Sequence, residues 1–277
     1  MSSPSLTLLF VKRCAVSAGA GRQRIGMVCL VTDPSAFGWG SRLTFHGPLS
    51  AERADRLAAE LTALGPETVV DYGCGWGELL LRVLSAAPGA RGSGIDIHGP
   101  DLVRARHNAD KQGLADRVVF IEERAADHAG KADAVINCGA YQAFGSISEA
   151  LKALRGLVNP GGRVLFGAEI WDRTPTEQQL SAMWPGTTLS TCLYLPDVVD
   201  AAVGAGFRPL RIETATLEEW DEFESLLAAG AEEWLLANPD HPEAGQVRER
   251  LGSHLSIWLR GHREVMGFAY LTLGVPL

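Results

Sequence analysis

The sequence predicts an α/β protein with a doubly wound, mostly parallel sheet of seven strands and helical cap insertions. Short apolar runs alternate with amphipathic helical patterns between residues 68 and 170, which is the spacing of βαβ units. Beyond residue 170 longer helical patterns separate the remaining strands. We therefore expect one domain over residues 27–277, with cap elements at about 172–195 and 214–262, behind a flexible extension at 1–26.

The elements follow in order from the start of the domain. Residues 27–31 form a short apolar stretch, and Ser50 is a good N-cap for a helix reaching Leu64, with Leu57, Leu61 and Leu64 on one face. Apolar runs predict strands at 68–72, 92–97, 118–121, 132–137, 163–170, 208–212 and 265–273. Helical spacing predicts helices at 78–87, 100–112, 148–157, 176–184, 196–205, 217–236 and 246–259.

Composition excludes several classes of protein. With 46% hydrophobic and 21% charged residues, the chain has ample core material and is not a disordered sequence. The net charge of −8 argues against a nucleic-acid partner, which requires a basic surface. The sequence contains no run of 18 apolar residues, so it predicts no membrane span. The five cysteines lack a C-x-x-C pair, so we expect a cytoplasmic protein with neither a disulfide framework nor a zinc site.

The strongest motif is the segment Val69-Val-Asp-Tyr-Gly-Cys-Gly-Trp-Gly-Glu78. A predicted strand runs into three glycines with the spacing G-x-G-x-G, and a helix follows. Glycines allow a tight turn and a close approach of the backbone to a ligand. The dinucleotide fingerprint would need glycine at position 78, where Glu78 stands. A carboxylate at this place suits a ligand with an ammonium or sulfonium charge better than a pyrophosphate.

A second acidic residue, Asp96, ends the next strand in Gly94-Ile-Asp-Ile97. In doubly wound sheets a carboxylate at this position faces a ribose and accepts hydrogen bonds from its hydroxyls. The alternative reading is a plain helix-capping acid. Together, the loop and Asp96 predict a site for a nucleoside that carries an amino-acid-like group.

The motif from Asp71 to Gly77, followed by Gly94-Ile-Asp96, resembles the class I S-adenosylmethionine-dependent methyltransferases. The turn at Asn159-Pro-Gly-Gly162 resembles the one that leads into the fifth strand of that family. The chain looks most like bacterial small-molecule methyltransferases. The resemblance implies a reversed last strand, S-adenosyl-L-methionine as cofactor and a small-molecule substrate.

The resemblance also implies which residues bind the cofactor. Asp71 would reach the methionine amino group, Gly73 and Gly75 would lie against the methionine and the ribose, and Asn137 would lie near the methyl group. Asp96 would bind the ribose hydroxyls, and the adenine would lie near Ile97, Ala125 and Ala126. Arg124 occupies the place where many family members have an acid beside the adenine amino group. Asp127 is then the candidate for a shifted acid.

The acceptor should bind beyond the carboxyl ends of the strands. Glu169, Tyr141 and His254 are candidate catalytic residues, and His46 is a further candidate base. Candidate substrate-binding residues are Gln142, Trp171, Trp220 and Glu224. Each of these side chains has an alternative role in packing or at the surface. No metal-ligand pattern is present in the sequence.

The acidic residues are concentrated in one segment. Residues 213–243 contain ten Asp or Glu and no Lys or Arg. One reading is a solvated helix face. The other is that Glu222 or Glu224 points inward and favours a cationic or amine-bearing substrate.

Two other functions remain compatible with the sequence. One is a methyltransferase-like fold that binds a ligand or partner without turnover, which the displaced acid at Arg124 favours. The other is a nicotinamide-dependent oxidoreductase, which Glu78 disfavours.

Overall fold

The computed structural model describes residues 37–277. The predicted extension at 1–26 and the apolar stretch at 27–31 lie outside this part of the chain. Eight strands form one sheet in the order β3-β2-β1-β4-β5-β8-β7, and β6 pairs with β5 at its end. The strands are β1 (Thr68–Tyr72), β2 (Arg91–Asp96), β3 (Val118–Glu122), β4 (Ala132–Cys138), β5 (Val158–Trp171), β6 (Leu193–Tyr194), β7 (Arg208–Thr214) and β8 (Met266–Gly274).

The helices cover both faces of this sheet. They are α1 (Ala51–Thr62), α2 (Glu78–Ala86), α3 (Gly99–Lys111), α4 (Ile147–Leu157), α5 (Glu177–Ala182), α6 (Leu195–Gly204), α7 (Leu217–Ala237) and α8 (Ala244–Ser256). A π-helical turn at Ile257–His262 continues α8. Within residues 37–277 no helix is both long and apolar enough to cross a membrane.

The predicted doubly wound sheet is confirmed, including the reversed last strand. Strands β1 to β5 pair in parallel, whereas β8 is antiparallel to both β5 and β7. Asp71 in β1 is paired with Gly94 in β2 and with Ile136 in β4. The carboxyl ends of these parallel strands therefore lie side by side at one edge, where ligands of such sheets bind.

Each face of the sheet has its own hydrophobic core. One contains Leu57, Leu80 and Leu84 from the helices on that side, and the other contains Leu151 and Phe207. The inward residues of α1 and α4 recur every three to four positions, which is the pattern that predicted these helices.

A buried ionic cluster joins α7 to α1. Arg53 donates from Nε and Nη2 to the carboxylate of Glu219, at 2.9 and 2.8 Å, and also contacts Glu213. Ser50, the N-cap of α1, donates its hydroxyl to Glu219 at 2.6 Å. These contacts hold the start of the helical insertion against the body of the domain.

The structure differs from the sequence prediction at three places. Strand β5 begins at Val158, so the turn predicted to precede it at residues 159–162 lies within the strand as an irregularity in its pairing with β4. The sheet has an eighth strand, because Leu193–Tyr194 pairs with Ile170 and Trp171 at the end of β5. A strand of two residues is too short to produce an alternating pattern in sequence. The helix predicted to reach residue 259 leaves α-helical geometry after Ser256 and continues as the π-helical turn. The spacing of apolar side chains does not distinguish a short π-helical turn from an α-helix.

Candidate functional site

The glycine loop joins the end of β1 to the start of α2. Gly73, Gly75 and Gly77 have φ angles of +89°, +55° and +76°, in the region that side chains with a Cβ rarely adopt. The backbone N–H groups of Gly73 and Cys74 donate to the carbonyl of Ile95, at 2.8 and 3.1 Å. The loop is therefore fastened to the end of β2.

Close packing behind the loop depends on two glycines. A Cβ on Gly77 would lie 2.8 Å from Cε1 of Phe120, and one on Gly94 would lie 2.7 Å from Cδ1 of the same ring. Both distances are shorter than van der Waals contact. The absence of these two Cβ atoms lets the ring of Phe120 fill the space beneath the loop.

Asp96 is 3% exposed at the end of β2. One carboxylate oxygen accepts a hydrogen bond from the backbone N–H of Gly75 at 2.8 Å, and the other accepts from that of His98 at 3.0 Å. Both bonds orient the carboxylate beside the loop. The glycine loop and Asp96 are therefore in direct contact.

A cavity of about 70 Å³ lies against the loop. Asp71, 3% exposed, forms part of its wall. Its lining comes from the loop, the end of β4, strand β8 and the segment before α1: Phe45, His46, Gly47, Leu49, Asp71, Gly73, Cys74, Gly75, Trp76, Glu78, Leu79, Cys138, Gly139, Phe268 and Tyr270. Asp96 is not among these residues, so the cavity lies toward Asp71 and away from the predicted ribose contact.

Residues 43–49, which we call the N-terminal strap, cover this cavity and are held on Trp76. The indole N–H of Trp76 donates to the carbonyl of Thr44 at 2.7 Å, and Arg104 donates to that of Leu43 at 2.8 Å. The ring of His46 stacks on Trp76 with centroids 4.8 Å apart, and the Arg104 guanidinium lies 4.1 Å from the centroid of that indole. Sequence reasoning named His46 only as a candidate base and missed the strap.

Beyond Cys138, the carboxyl end of β5 presents Glu169. Its side chain is 3% exposed, and Oε1 has no hydrogen-bond partner. Burial raises the pKa of Glu169 to about 7. Burial, and then the charge of Glu169, raises the pKa of the Tyr141 hydroxyl. The structure thus brings two of the predicted catalytic residues, Glu169 and Tyr141, into electrostatic contact.

The third predicted catalytic residue, His254, lies in a separate cluster. Its Nε2 is 3.1 Å from the carbonyl oxygen of Glu224 and 3.6 Å from a carboxylate oxygen of the same residue. No contact among the described residues joins His254 to Glu169 or Tyr141. Its predicted role as a base therefore has no support from its position.

The predicted substrate-binding residues also lie apart from the cavity. Trp171 is buried and its indole N–H donates to the carbonyl of Leu189 at 2.9 Å, and Trp220 packs in the core. Glu224 is 4% exposed and faces His262 at 3.2 Å. Gln142 lies, partly buried, in a short helical turn after β4. The alternative packing role fits Trp171 and Trp220 because both fill the same hydrophobic core.

Asn137 lies on the other face of the sheet from the cavity. It is fully buried, and its side-chain amide donates to the carbonyl of Tyr72 at 2.8 Å. Side chains alternate along a strand, so Cys138 faces the cavity instead. Burial, and then the charges of Asp71 and Glu169, raises the pKa of the Cys138 thiol. A protonated thiol is a weak nucleophile, so Cys138 is a wall residue.

The predicted adenine contacts lie next to the end of β2. Ile97 is partly buried, Ala125 is buried with Tyr72 and Ile95 in the second core, and Ala126 is exposed. Arg124 is exposed and lies 3.5 Å from Asp127. The adenine contacts of Ile97, Ala125 and Ala126 stay predictions.

The site suits a ligand that has hydroxyl groups at one end and a cation at the other. Asp96 offers acceptor-only oxygens, Asp71 places a carboxylate at the cavity, and the glycines leave the backbone accessible between them. Within residues 37–277 no group of three or more His, Cys, Asp or Glu is arranged to hold a metal ion.

Comparison with known proteins agrees with this geometry. A family described as methyltransferase domain matches residues 70–164. The uncharacterised protein YjhP of Escherichia coli is 28% identical over 230 residues, covering 82% of this chain and 92% of YjhP. The ribosomal protein L11 methyltransferase of Pasteurella multocida is 36% identical over 137 residues, which cover 48% of this chain and 42% of that enzyme.

Solved structures extend the similarity to nearly the whole domain. A SAM-dependent methyltransferase from Geobacter sulfurreducens, crystallised with S-adenosyl-L-homocysteine, has a TM-score of 0.76 at 29% identity, covering 86% of this chain and 95% of that one. A second, from Thiobacillus denitrificans and also in complex with S-adenosyl-L-homocysteine, has a TM-score of 0.75 at 28% identity, covering 84% and 94%. The chain thus contains a methyltransferase domain on the fold of the class I S-adenosylmethionine-dependent methyltransferases, enzymes whose cofactor is S-adenosyl-L-methionine.

Proposed function

We propose that this protein transfers a methyl group from S-adenosyl-L-methionine to a small-molecule acceptor at the carboxyl edge of β4 and β5. The observation that carries the proposal is the cavity beside Asp71, where the N-terminal strap and strand β8 leave about 70 Å³. A space of this size takes the reacting groups of small ligands. A macromolecular acceptor would have to insert a single side chain into this space.

In this proposal the described residues bind and orient the two reactants. When bound, S-adenosyl-L-methionine supplies a methyl group on a sulfonium sulfur, and the acceptor attacks the methyl carbon directly with the sulfur as leaving group. Asp96 accepts hydrogen bonds from the ribose hydroxyls, and Asp71 faces the methionine amino group. The strap and the Phe268 ring exclude water and keep the reacting groups close together and aligned. Proximity and alignment account for much of the rate of such a displacement.

Binding of S-adenosyl-L-homocysteine tests the cofactor site. Asp96→Asn keeps the size of the side chain and removes its charge, so we expect at least about tenfold weaker binding, the difference between a charge-assisted and a neutral hydrogen bond. Asp110→Asn, an exposed acid in α3, is the matched control and should bind as the wild type does. Calorimetry measures both, and thermal melting verifies that each variant is folded.

Two outcomes would refute this assignment. One is the absence of any binding by the wild type, and the other is equal affinity in wild type and Asp96→Asn. The class of acceptor is tested separately with methyl-labelled cofactor in a bacterial cell extract. Label in the small-molecule fraction supports the proposal, whereas label confined to protein would favour a macromolecular acceptor of the kind named for the L11 methyltransferases.

A further inference from the structure

Glu169 differs from the other buried glutamates of residues 37–277 in having no basic partner. Glu219 is held by Arg53 at 2.8 Å, and Glu224 lies 3.2 Å from His262. Glu169 is equally buried, yet no Arg, Lys or His of the described chain lies within ion-pair distance, and Oε1 has no hydrogen-bond partner. A buried carboxylate without a basic partner is unfavourable, so the free Oε1 of Glu169 points to a ligand that completes it.

The register of the sheet places Glu169 beside the reacting end of the cavity. Gly167 in β5 is paired with Cys138 in β4, and a Cβ on Gly167 would lie 2.6 Å from the sulfur of Cys138. Side chains two residues apart in a strand share a face. Glu169 therefore follows Cys138, a cavity residue, on the same face and one step nearer to the carboxyl edge.

The walls around Glu169 are aromatic, and the Arg53 guanidinium, 5.7 Å from the centroid of the Tyr270 ring, is already paired with Glu219. Phe268 is its partner across β5 and β8, and Tyr270 lies two residues further along β8 on the same face. Both rings line the cavity. Such rings attract cations through their π faces, while an anionic acceptor would find no Arg or Lys among the lining residues. The chemistry of this wall favours a positively charged or neutral ligand over a carboxylate or phosphate.

We infer that the acceptor is a small amine and that Glu169 binds its nitrogen and accepts a proton from it. The inference rests on the proposed function and adds the substrate class to it. The ammonium form first gives one proton to Oε1 of Glu169. The nitrogen lone pair then forms the N–C bond as the C–S bond of the donor breaks, and that bonding pair stays on sulfur as a thioether. An N-methylammonium ion leaves, and the proton on Glu169 passes to solvent.

The acidity of Glu169 suits an amine better than an alcohol. Burial raises its pKa to about 7. An alkylammonium ion has a pKa of about 10, as in lysine, and a nearby sulfonium charge lowers that value further. An alcohol resembles water, whose pKa lies far above that of an ammonium ion, so this carboxylate is too weak a base to take its proton. Tyr141, whose own pKa is raised by burial and then by the charge of Glu169, stays neutral beside it.

The test compares benzylamine with benzyl alcohol, which have the same ring and differ in the nucleophile. Calorimetry is carried out on the protein saturated with S-adenosyl-L-homocysteine, so that it reads binding without turnover. We expect benzylamine to bind at least about tenfold more tightly than benzyl alcohol. Glu169→Gln should abolish that preference and leave the affinity for S-adenosyl-L-homocysteine unchanged. The control Glu177→Gln removes an exposed acid of α5 and should keep the preference.

Methyl transfer from labelled cofactor to the same two compounds completes the test. We expect label on benzylamine with the wild type and with Glu177→Gln, and at least about a hundredfold less with Glu169→Gln, in the range of losses for a positioned proton acceptor. Equal binding of the two compounds, an unchanged preference in Glu169→Gln, or no transfer to benzylamine would each overturn the inference. If S-adenosyl-L-homocysteine itself fails to bind, the proposed function is refuted instead.

Discussion

Replacing Glu169 by glutamine should remove one pH-dependent component of the stability of this protein. The carboxyl group is 3% exposed and its pKa is raised to about 7 by burial. In the unfolded chain the same group has an ordinary value near 4.5. The folded state therefore retains the proton over a range of pH in which the unfolded state has already lost it.

The sign and size of the effect follow from that difference. A raised carboxyl pKa means that its contribution to folding is most favourable below about pH 4.5 and is lost as the pH rises through 7. Each pKa unit is worth about 1.4 kcal/mol, so ionisation of Glu169 in the folded protein costs about 3 kcal/mol in total. Between pH 5 and pH 8.5 the free energy of unfolding of Glu169→Gln should rise by about 2 to 3 kcal/mol relative to wild type.

Urea denaturation at a series of pH values, without ligand, measures this difference. Comparing the two proteins at each pH removes the titrations that they share, and Glu177→Gln serves as the control because its acid is exposed. A constant offset between Glu169→Gln and wild type across the series would refute the argument, since glutamine changes packing equally at every pH. It would mean that Glu169 is ionised in the folded protein, with a partner or water that stabilises its charge.

Two further predictions concern stability. Arg53→Ala leaves the carboxylate of Glu219 buried without the Arg53 guanidinium, so the free energy of unfolding in urea at pH 7 should fall by about 3 to 5 kcal/mol. Adding Glu219→Gln should recover part of that loss. No recovery in the double variant would contradict an ionic origin of the loss. Gly77→Ala places a Cβ 2.8 Å from the Phe120 ring at a φ of +76°, which should cost about 2 to 4 kcal/mol and weaken binding of S-adenosyl-L-homocysteine. Gly65→Ala, at a φ of +64° with no atom within 4 Å, should show only the backbone cost of about 1 to 2 kcal/mol, and an equal loss in both variants would argue against the clash.

The sheet was predictable because its strands carry strong local signals. The apolar run at 68–72 coincides with β1, and the glycines after it fix where the strand must turn into α2. The pairing of Asp71 with Gly94 places the ends of β1 and β2 together, as the order of the βαβ units requires. Residues at strand ends, namely the loop and Asp96, are therefore located by topology without knowledge of side-chain packing.

The N-terminal strap was not predictable by the same reasoning. Its contacts join residues far apart in sequence, and several use backbone carbonyls, such as that of Thr44, which any residue supplies. Leu43 and Phe45 are buried, but the segment is not a helix or strand and shows no periodic pattern. Trp76 in the glycine motif is the one local signal, because a large aromatic residue within a glycine turn needs a neighbour to cover it.

The acidic segment at 213–243 was read as a solvated face or as a source of charge for the substrate site. Neither reading describes it fully, because several of its acids pair with bases of the body: Glu213 and Glu219 with Arg53, Asp221 with Arg263, and Glu233 with Arg42. Part of the negative charge of the segment thus attaches it to the domain, while Glu218, Glu222 and Asp240 are exposed.

The same pairing bears on which carboxylate meets a cationic acceptor. Glu222 is exposed, and Glu224 points inward as one reading expected but faces the imidazoles of His254 and His262. A carboxylate that already has basic neighbours gains less from a ligand cation than one that has none. Glu169, on β5 outside the acidic segment, has no such neighbour among the described residues. The charge available to an amine therefore comes from the sheet edge, while the acidic insertion supplies the contacts that hold the cap in place.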